Sequence, residues 1–380
     1  MKVAVVGCGL IGCAAARHLA KAGHEVLLIG PDEPADKRHH QGVFGSHYDE
    51  GRITRRLATD QFWSEVSSAS IDRYAEIAAE SGIRFHTPCG AMMAADALDP
   101  MIQKAAAVQE ALGLDCTDLT GASLAETVPY FAFPQGIRAF HEVTDGGHIS
   151  PRALVQAQSR AAQKHGAIRV SEAVRNLRET RQGVMITTKT GEHDADAALL
   201  TAGAMTDHIS PATIPLTVYG RTVALFEVDE AQAAQLSTMP SLVFRLKDNA
   251  GEPYLLPPIR YPDGKIYLKL GGDPDDLHLE TPEQIGDWFR SGGRPAVRDH
   301  LEDLIRRLMP DLNILSIAMD ACVTSFTPSG RPVIDHLSPR IATATGGNGA
   351  GAKCSDALGR LGATCVTNGT DPHLLHTKLH

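Results

Sequence analysis

The residues whose spacing most directly specifies chemistry are three glycines near the start of the chain. Gly7, Gly9 and Gly12 lie between the apolar run Val3 to Val6 and an alanine-rich stretch that leads to a second apolar run, Glu25 to Ile29. Gly-x-Gly-x-x-Gly between a strand and a helix is the arrangement that receives a dinucleotide pyrophosphate. Gly7 permits the tight turn, Gly9 removes the Cβ that would keep backbone away from the phosphates, and Gly12 lets helix and strand pack closely. The free N–H groups of the first helical turn, at Leu10 and Ile11, then point at the anion with the helix dipole behind them. A glycine-rich turn in an ordinary α/β unit is the competing reading, but three glycines at a helix start that binds nothing carry an uncompensated entropic cost. One element of the unit is missing. The acid that usually takes the ribose hydroxyls is replaced by Gly30, followed by Pro31 and Asp32. Either Asp32 reaches back, or backbone and water hold the ribose. The gap weighs more against freely exchanging NAD than against a permanently held flavin.

The elements that must position this motif are spread along the chain. After the second strand, Ala35 to Arg56 is too polar for core and too rich in glycine for one helix. Gln61 to Ser81 places Phe62, Val66, Ile71, Tyr74, Ile77 and Ala78 at near-helical spacing and predicts one amphipathic helix. Between Ile83 and His148, short strands at Arg84 to His86 and Ala91 to Ala94 accompany a helix at Ile102 to Leu112. The α/β pattern then returns. Gly147 to Pro151 opens a helix with Ser150 as N-cap and Pro151 at its first position, running to His165. Strands follow at Ile168 to Val170, Val184 to Thr188 and Ala197 to Leu200. The last feeds a turn, Thr201-Ala202-Gly203-Ala204, which either lies against a bound dinucleotide or is only a strand end. Pro215 to Ser316 predicts antiparallel sheet, with strands at Thr222 to Glu227, Ser241 to Phe244, Tyr254 to Pro257 and Ile266 to Leu270 and a turn at Pro262 to Lys265. Helices at Pro282 to Trp288 and Ala296 to Leu308 close this region. A strand at Ile341 to Thr345, a loop holding Gly347, Gly349 and Gly351, and a helix at Ala352 to Thr364 end the pattern.

With 380 residues, 43% hydrophobic and 21% charged, the chain is an ordinary globular protein of two to three domain-sized units. Its net charge of -9 disfavours nucleic acid as a partner. No apolar run approaches the ~18 residues that span a bilayer, and the chain enters its first strand without a cationic leader, so a cytoplasmic protein with no membrane partner is expected. The seven cysteines are odd in number and form no CxxC cluster, so neither a disulfide framework nor a metal site is expected.

Several of these stretches together resemble one family. The opening glycine motif, Gly45-Ser46-His47 leading to Arg52-Ile53-Thr54-Arg55, Leu268-Lys269-Leu270-Gly271, Cys322, and Gly349-Ala350-Gly351-Ala352-Lys353 follow the order found in the D-amino-acid-oxidase superfamily, nearest its monomeric sarcosine oxidase and N-methyltryptophan oxidase branch. The resemblance covers essentially the whole chain. It implies an α/β fold: a Rossmann-type (GR2-like) FAD-binding domain from residues 1–82, 146–214 and 317–380, and an α+β substrate domain on a mixed antiparallel sheet from 83–145 and 215–316. It implies FAD as cofactor, held at the glycine motif, Asp32, Ser46, Ala202, Gly203, Gly347 and Gly351, and linked covalently through Cys322. Arg55 and Lys353 match the two cations that grip a substrate carboxylate, a guanidinium fork beside a point charge. Arg52 matches an arginine close to the flavin ring. Lys269 matches a lysine beside flavin N5, where a fixed cation assists oxygen reduction. Tyr254 matches a pocket tyrosine, and Gly349 a glycine whose carbonyl faces the amine. An isolated Arg or Lys is commonly a solvated surface charge and a buried Cys a small hydrophobe, as Cys8, Cys13, Cys354 and Cys365 are expected to be.

The activity implied is oxidation of a small amino or imino acid. Hydride passes to the flavin, the imine hydrolyses, and dioxygen is reduced to hydrogen peroxide, in a protein expected to be monomeric. A dehydrogenase passing electrons to another acceptor, and a flavin-binding protein without turnover, are the alternatives. Three positions depart from the sarcosine-oxidizing pattern, Gly51, Asp273 and Ala350, and predict a pocket altered in size and charge.

Overall fold

The computed structural model describes residues 1–246 and 251–368. A six-stranded sheet runs in the spatial order Val333–Ser338, Ile341–Thr345, Ala197–Leu200, Lys2–Val6, Glu25–Ile29, Ile168–Val170. Every pairing is parallel except the first. Both faces are covered, which is why its central strands read as unbroken apolar runs. On one face Cys13, Ala16, Ala162, Ala363 and Val366, from the helices Leu10–Lys21, Pro151–Lys164 and Ser355–Asn368, pack against Val3, Val5, Val26, Leu28 and Leu199. On the other, Leu177, Val184 and Ile186 of a three-stranded antiparallel meander pack against Ala4, Val6, Leu27 and Leu200. The chain's start, middle and end thus share one core. Cys13, Cys354 and Cys365 lie buried in and around these helices.

A nine-stranded sheet forms the second layer, built around Thr217–Val228, Ile266–Gly271, Tyr254–Arg260, Ser241–Arg245, Ala91–Asp96 and Ile137–Glu142. It is antiparallel apart from the parallel pairing of Ser241–Arg245 with Ala91–Asp96, so the expected mixed antiparallel sheet is present. Leu268 and Leu270 point into a core shared with Val297, Leu301, Leu304 and Leu308 of the helix Pro295–Leu308. Strand alternation sends Lys269 to the opposite face, the one turned toward the nucleotide-binding layer. A small antiparallel sheet of Arg52–Thr54, Gly147–Ile149 and His86–Thr87 joins the layers.

The structure departs from expectation where packing overrides local pattern. Gln61 to Ser81 is not one helix but two, Gln61–Ile71 and Tyr74–Ser81. Phe62 and Val66 pack against Leu358 of the C-terminal helix, whereas Tyr74 and Ile77 pack with Phe85, Ile149 and Leu154. Two partners in different directions require a change of axis. The helix expected with Ser150 as N-cap and Pro151 at its first position is present as Pro151–Lys164, and the residues before it, Gly147–Ile149, form a strand. The helix begins after Ser150, whose hydroxyl accepts from the Ala153 N–H at 3.1 Å. The strands Thr117–Thr120 and Ile137–Glu142 carry too few alternating apolar residues to stand out in sequence. Residues 317–326, grouped by sequence with the nucleotide-binding part, belong to the strand Ser316–Phe326, which pairs along its whole length with Thr217–Val228 of the larger sheet.

The two helices nearest the glycine motif cross where side chains vanish. A Cβ at Gly359 would come within 2.6 Å of both Ala14 Cβ and the Ala15 nitrogen. Gly359→Ala is therefore expected to destabilise the protein by about 1–3 kcal/mol, the cost of overpacking, despite alanine's better helix propensity. The check is a lower urea midpoint at unchanged slope.

Candidate active site

A single long cavity begins at the glycine motif and ends between the two sheets. Its walls include Gly7, Gly9, Leu10, Ile11 and Gly30 at one end, Ala202 and Gly203 beside them, and Ser46, Arg52, Cys322, Gly347, Gly349 and Gly351 toward the other. At the first end the three glycines do different work. Gly7 has φ +119°, and a Cβ there would lie 2.4 Å from the Thr201 carbonyl oxygen. A Cβ on Gly12 would lie 1.8 Å from the Gly7 oxygen, so Gly12 is a packing residue outside the cavity wall. Gly9 faces open space, its nearest neighbour being His47 Nδ1 at 4.0 Å. Gly9 is also the N-cap of the helix Leu10–Lys21, with no side chain capping it, so the first-turn N–H groups are turned to the cavity. This cradle fits the pyrophosphate of FAD.

The missing acid has a steric reason. A side chain at Gly30 would start 2.8 Å from the Cys8 nitrogen, within the glycine turn itself. Asp32 does not replace it, because its exposed carboxylate is paired with Arg169 at 2.7 Å and lies outside this cavity, against a separate one with Cys8 and Arg169. Arg169 also donates to the Gly30 carbonyl at 2.6 Å, closing off that side. His47, which sequence reasoning passed over, lines the cavity, and burial pushes its imidazole down to about 4, so it is neutral at neutral pH.

At the second end, the strand Ser316–Phe326 brings Cys322 into the wall as a free thiol, and its carbonyl accepts from the Trp288 indole at 2.8 Å. The glycine loop is tied to the same strand. Asn348 donates its N–H to the Ser325 carbonyl at 2.9 Å, and its side-chain oxygen accepts from the Thr327 N–H at 3.0 Å. Asn348 and Gly349 both hold positive φ, which makes the loop a sharp turn over the cavity. Arg52 lines the wall, donating to the carbonyls of Ser46 and Gly51 at 3.2 Å and pairing with Asp49.

Arg55, Lys353, Tyr254 and Lys269 stand behind this wall rather than in it. Arg55 donates to the Leu57 carbonyl and forms no ion pair among the described residues. Lys353 is buried, and burial pushes its ammonium down to about 8, Arg55 adding to the effect. The two cations are held near one another by Tyr74, whose hydroxyl donates to the Lys353 carbonyl at 2.9 Å and meets the Thr54 hydroxyl at 3.3 Å. The Glu142 carboxylate accepts the N–H groups of Arg56 and Leu57 at 2.8 and 3.1 Å, fixing the turn that follows Arg55. Lys269 is fully buried and donates to Asp49 and to the Gly51 carbonyl at 2.7 Å, with its nitrogen 5.6 Å from the centre of the Tyr254 ring. Tyr254 in turn packs on Gly271, where a Cβ would be 2.5 Å from the ring.

Of the three departures, none adds charge to the cavity. Asp273 is turned away, its two oxygens accepting the Thr222 N–H at 3.2 and 3.1 Å beside Arg294, and Gly51 packs under Leu256 and Ile259. Ala350 packs with Phe62 and Val66. His47, Asp49, Tyr74 and Glu142 are site residues that the sequence pattern does not single out. Among the described residues no group of three or more His, Cys, Asp or Glu side chains is placed to hold a metal, and no helix is long and apolar enough to cross a membrane.

A dinucleotide cradle with buried cations behind the far wall of its cavity is the architecture of a flavoprotein-type oxidoreductase. A family model described as FAD dependent oxidoreductase (DAO) matches residues 2–364, and the chain belongs to that family. It is similar to monomeric sarcosine oxidase of Bacillus sp. (strain NS-129), 27% identical, with 98% of this chain and 94% of that protein covered. It is also similar to N-methyl-L-tryptophan oxidase of Yersinia pestis (strain Pestoides F), 23% identical, with 97% and 95% covered. Its fold matches that of NikD, described as an unusual amino acid oxidase essential for nikkomycin biosynthesis, at a TM-score of 0.76 and 19% identity over 98% and 96% of the two chains.

The state of Lys353 gives a pH test of the cationic pocket. Below about pH 8 Lys353 is charged and available to an anion; above it the free protein carries a neutral amine. A simple aliphatic carboxylate with no amine of its own should therefore bind most tightly below about pH 8. Its dissociation constant should then rise by up to ~10-fold per pH unit until the pKa of the complex is reached. Lys353→Met should bind more weakly at low pH and lose that rise. Spectroscopic titration of the holoprotein measures both.

Proposed function

We propose that the protein oxidises a small carboxylate-bearing amino or imino acid, passing its electrons to dioxygen. The observation that carries this reading is the pair Arg55 and Lys353, two enclosed cations with no carboxylate partner among the described residues, next to the end of the cavity where Cys322 and Arg52 lie. Two unpaired enclosed cations are costly, and an anionic ligand removes that cost. An amino-acid carboxylate suits them, with Arg55 giving a two-point grip and Lys353 a point charge. The names of the similar proteins, oxidases of N-methyl and related amino acids, support the same substrate class.

Bound FAD would supply the hydride acceptance and the oxygen reduction. Gly7, Gly9, Leu10 and Ile11 would hold its pyrophosphate; Ser46, Ala202, Gly203, Gly347 and Gly351 would line its path, and Arg52 would stand at its ring. The chain's own residues orient the substrate. Arg55 and Lys353 fix the carboxylate, Gly349 presents backbone at the cavity, and Tyr254 stands behind the wall with its ring against Lys269. Burial raises the Tyr254 hydroxyl to about 12, so it serves as a neutral donor rather than a base. Lys269 contributes a fixed cation for the charge that develops on oxygen. Oxygen-electrode assays with N-methyl, cyclic and primary amino acids test the reading. Oxygen uptake with stoichiometric peroxide is expected for at least one class. Substrate-driven bleaching of the flavin without oxygen uptake would instead mark a dehydrogenase.

Covalent attachment of FAD through Cys322 is part of the proposal, supported by a free thiol in the cavity wall. Acid-precipitated protein should keep its yellow colour in the pellet, and Cys322→Ser should release it to the supernatant. Colour released from the unaltered protein would remove the covalent link.

A further inference from the structure

Lys269 is held by a carboxylate that no glycine motif or cationic pair accounts for. Its ammonium donates to Asp49 Oδ2 and, at 2.7 Å, to the Gly51 carbonyl, and the side chain has no exposed surface. The same Asp49 oxygen pairs with Arg52 Nη1. The other oxygen accepts from the Tyr261 hydroxyl at 3.1 Å and the Glu50 N–H at 2.8 Å. One carboxylate, itself only 11% exposed, thus serves two cations, one of them in the cavity wall. Of the remaining groups around Lys269, Asp320 is the other anion that favours its charged form. Tyr254 and Tyr261 are both pushed up by burial and are neutral. Asp320 is already paired with Lys37 at 2.9 Å, and Cys322 is a free thiol.

We propose that Asp49 is the positioning residue that keeps Lys269 protonated and aimed at the Arg52 wall of the cavity, so that oxygen reduction depends on a carboxylate lying outside that wall. The proposal rests on the oxidase role given to Lys269 above. A fully buried ammonium beside a guanidinium faces desolvation and like-charge repulsion together, and both favour loss of its proton. Those two causes push Lys269 down in this structure, and the Asp49 carboxylate is the one anion in direct contact with its ammonium. With Asp49 present, a cation persists; without it, Lys269 becomes a neutral amine. The Gly51 carbonyl still accepts from a neutral amine, so the strand geometry survives the change.

Asp49→Asn keeps the shape and the acceptor for Tyr261 while removing the charge. Two measurements follow Lys269 separately. In protein labelled with 13C at lysine Cε, the Lys269 resonance is identified by its loss in Lys269→Met and followed from pH 6 to pH 10. Stopped-flow spectroscopy of the holoenzyme over the same range measures anaerobic reduction by substrate and reoxidation by air. In the unaltered protein the resonance should keep its charged position to a higher pH than it does in the variant. In Asp49→Asn it should titrate within the range, and reoxidation should fall at least tenfold across that same midpoint while reduction changes less than threefold. A resonance that stays charged to pH 10 in Asp49→Asn overturns the proposal. A resonance that titrates while reoxidation stays flat leaves Asp49 holding the proton and overturns the oxidase role of Lys269 instead.

Discussion

Uncompensated positive charge in an enclosed space is the constraint around which this molecule is arranged. The chain as a whole carries a net charge of -9. Beside the cavity, however, Arg52 and Lys269 share the single carboxylate of Asp49, and Arg55 and Lys353 have none among the described residues. Enclosed charges are tolerated when paired and costly when not. The surrounding polar contacts read as the means of holding that arrangement in place. Tyr74 ties Lys353 to the strand before Arg55, Glu142 fixes the turn after it, and the Gly51 carbonyl secures Lys269. Glu142 offsets the charge of the pair in part without forming an ion pair with either cation. Together these contacts keep the pair rigid and available.

The fold's contribution is to bring together residues that are far apart in the chain. The segment from Asp49 to Arg55, the strand bearing Lys269, the strand bearing Cys322 and the segment bearing Lys353 meet beside a cavity that opens at the strand ends of the six-stranded sheet, where Val6, Ile29, Thr201 and Thr345 line it. That sheet is covered on both faces, by helices and by the three-stranded meander. The larger sheet buries one face under Pro295–Leu308 and leaves the other to the polar groups around Lys269. Lys269 illustrates the division: its neighbours Leu268 and Leu270 belong to a hydrophobic core, while its own side chain crosses to the cationic pocket.

What was legible in the sequence was local. The glycine motif could be read because strand, turn and helix are consecutive, and each glycine has a separate steric duty that the structure bears out. The antiparallel sheet could be read because its central strands are short apolar runs separated by turn residues, and its mixed character was implied by the family resemblance. Asp49 was not singled out, because an acid in a polar segment looks solvated until Lys269, 220 residues away, is folded against it. Tyr74 was read as core, which it is, but its hydroxyl finds the Lys353 carbonyl only in three dimensions. Asp273, a departure from the family pattern, has partners that are equally remote: the Thr222 N–H and Arg294. The break at Asp72 and Arg73 was hidden because no glycine or proline marks it; two packing partners impose it.

The central claim is that an anionic substrate group completes the Arg55 and Lys353 pair. Comparing the rate of anaerobic flavin reduction by an amino acid with that by its carboxamide, at saturating and subsaturating concentrations, tests it most directly, because the amine and the carbon to be oxidised are the same in both. The account predicts that the carboxamide loses at least ~100-fold in kcat/KM, about 2.7 kcal/mol, consistent with one charge-assisted grip removed. Equal rates for acid and carboxamide would contradict it.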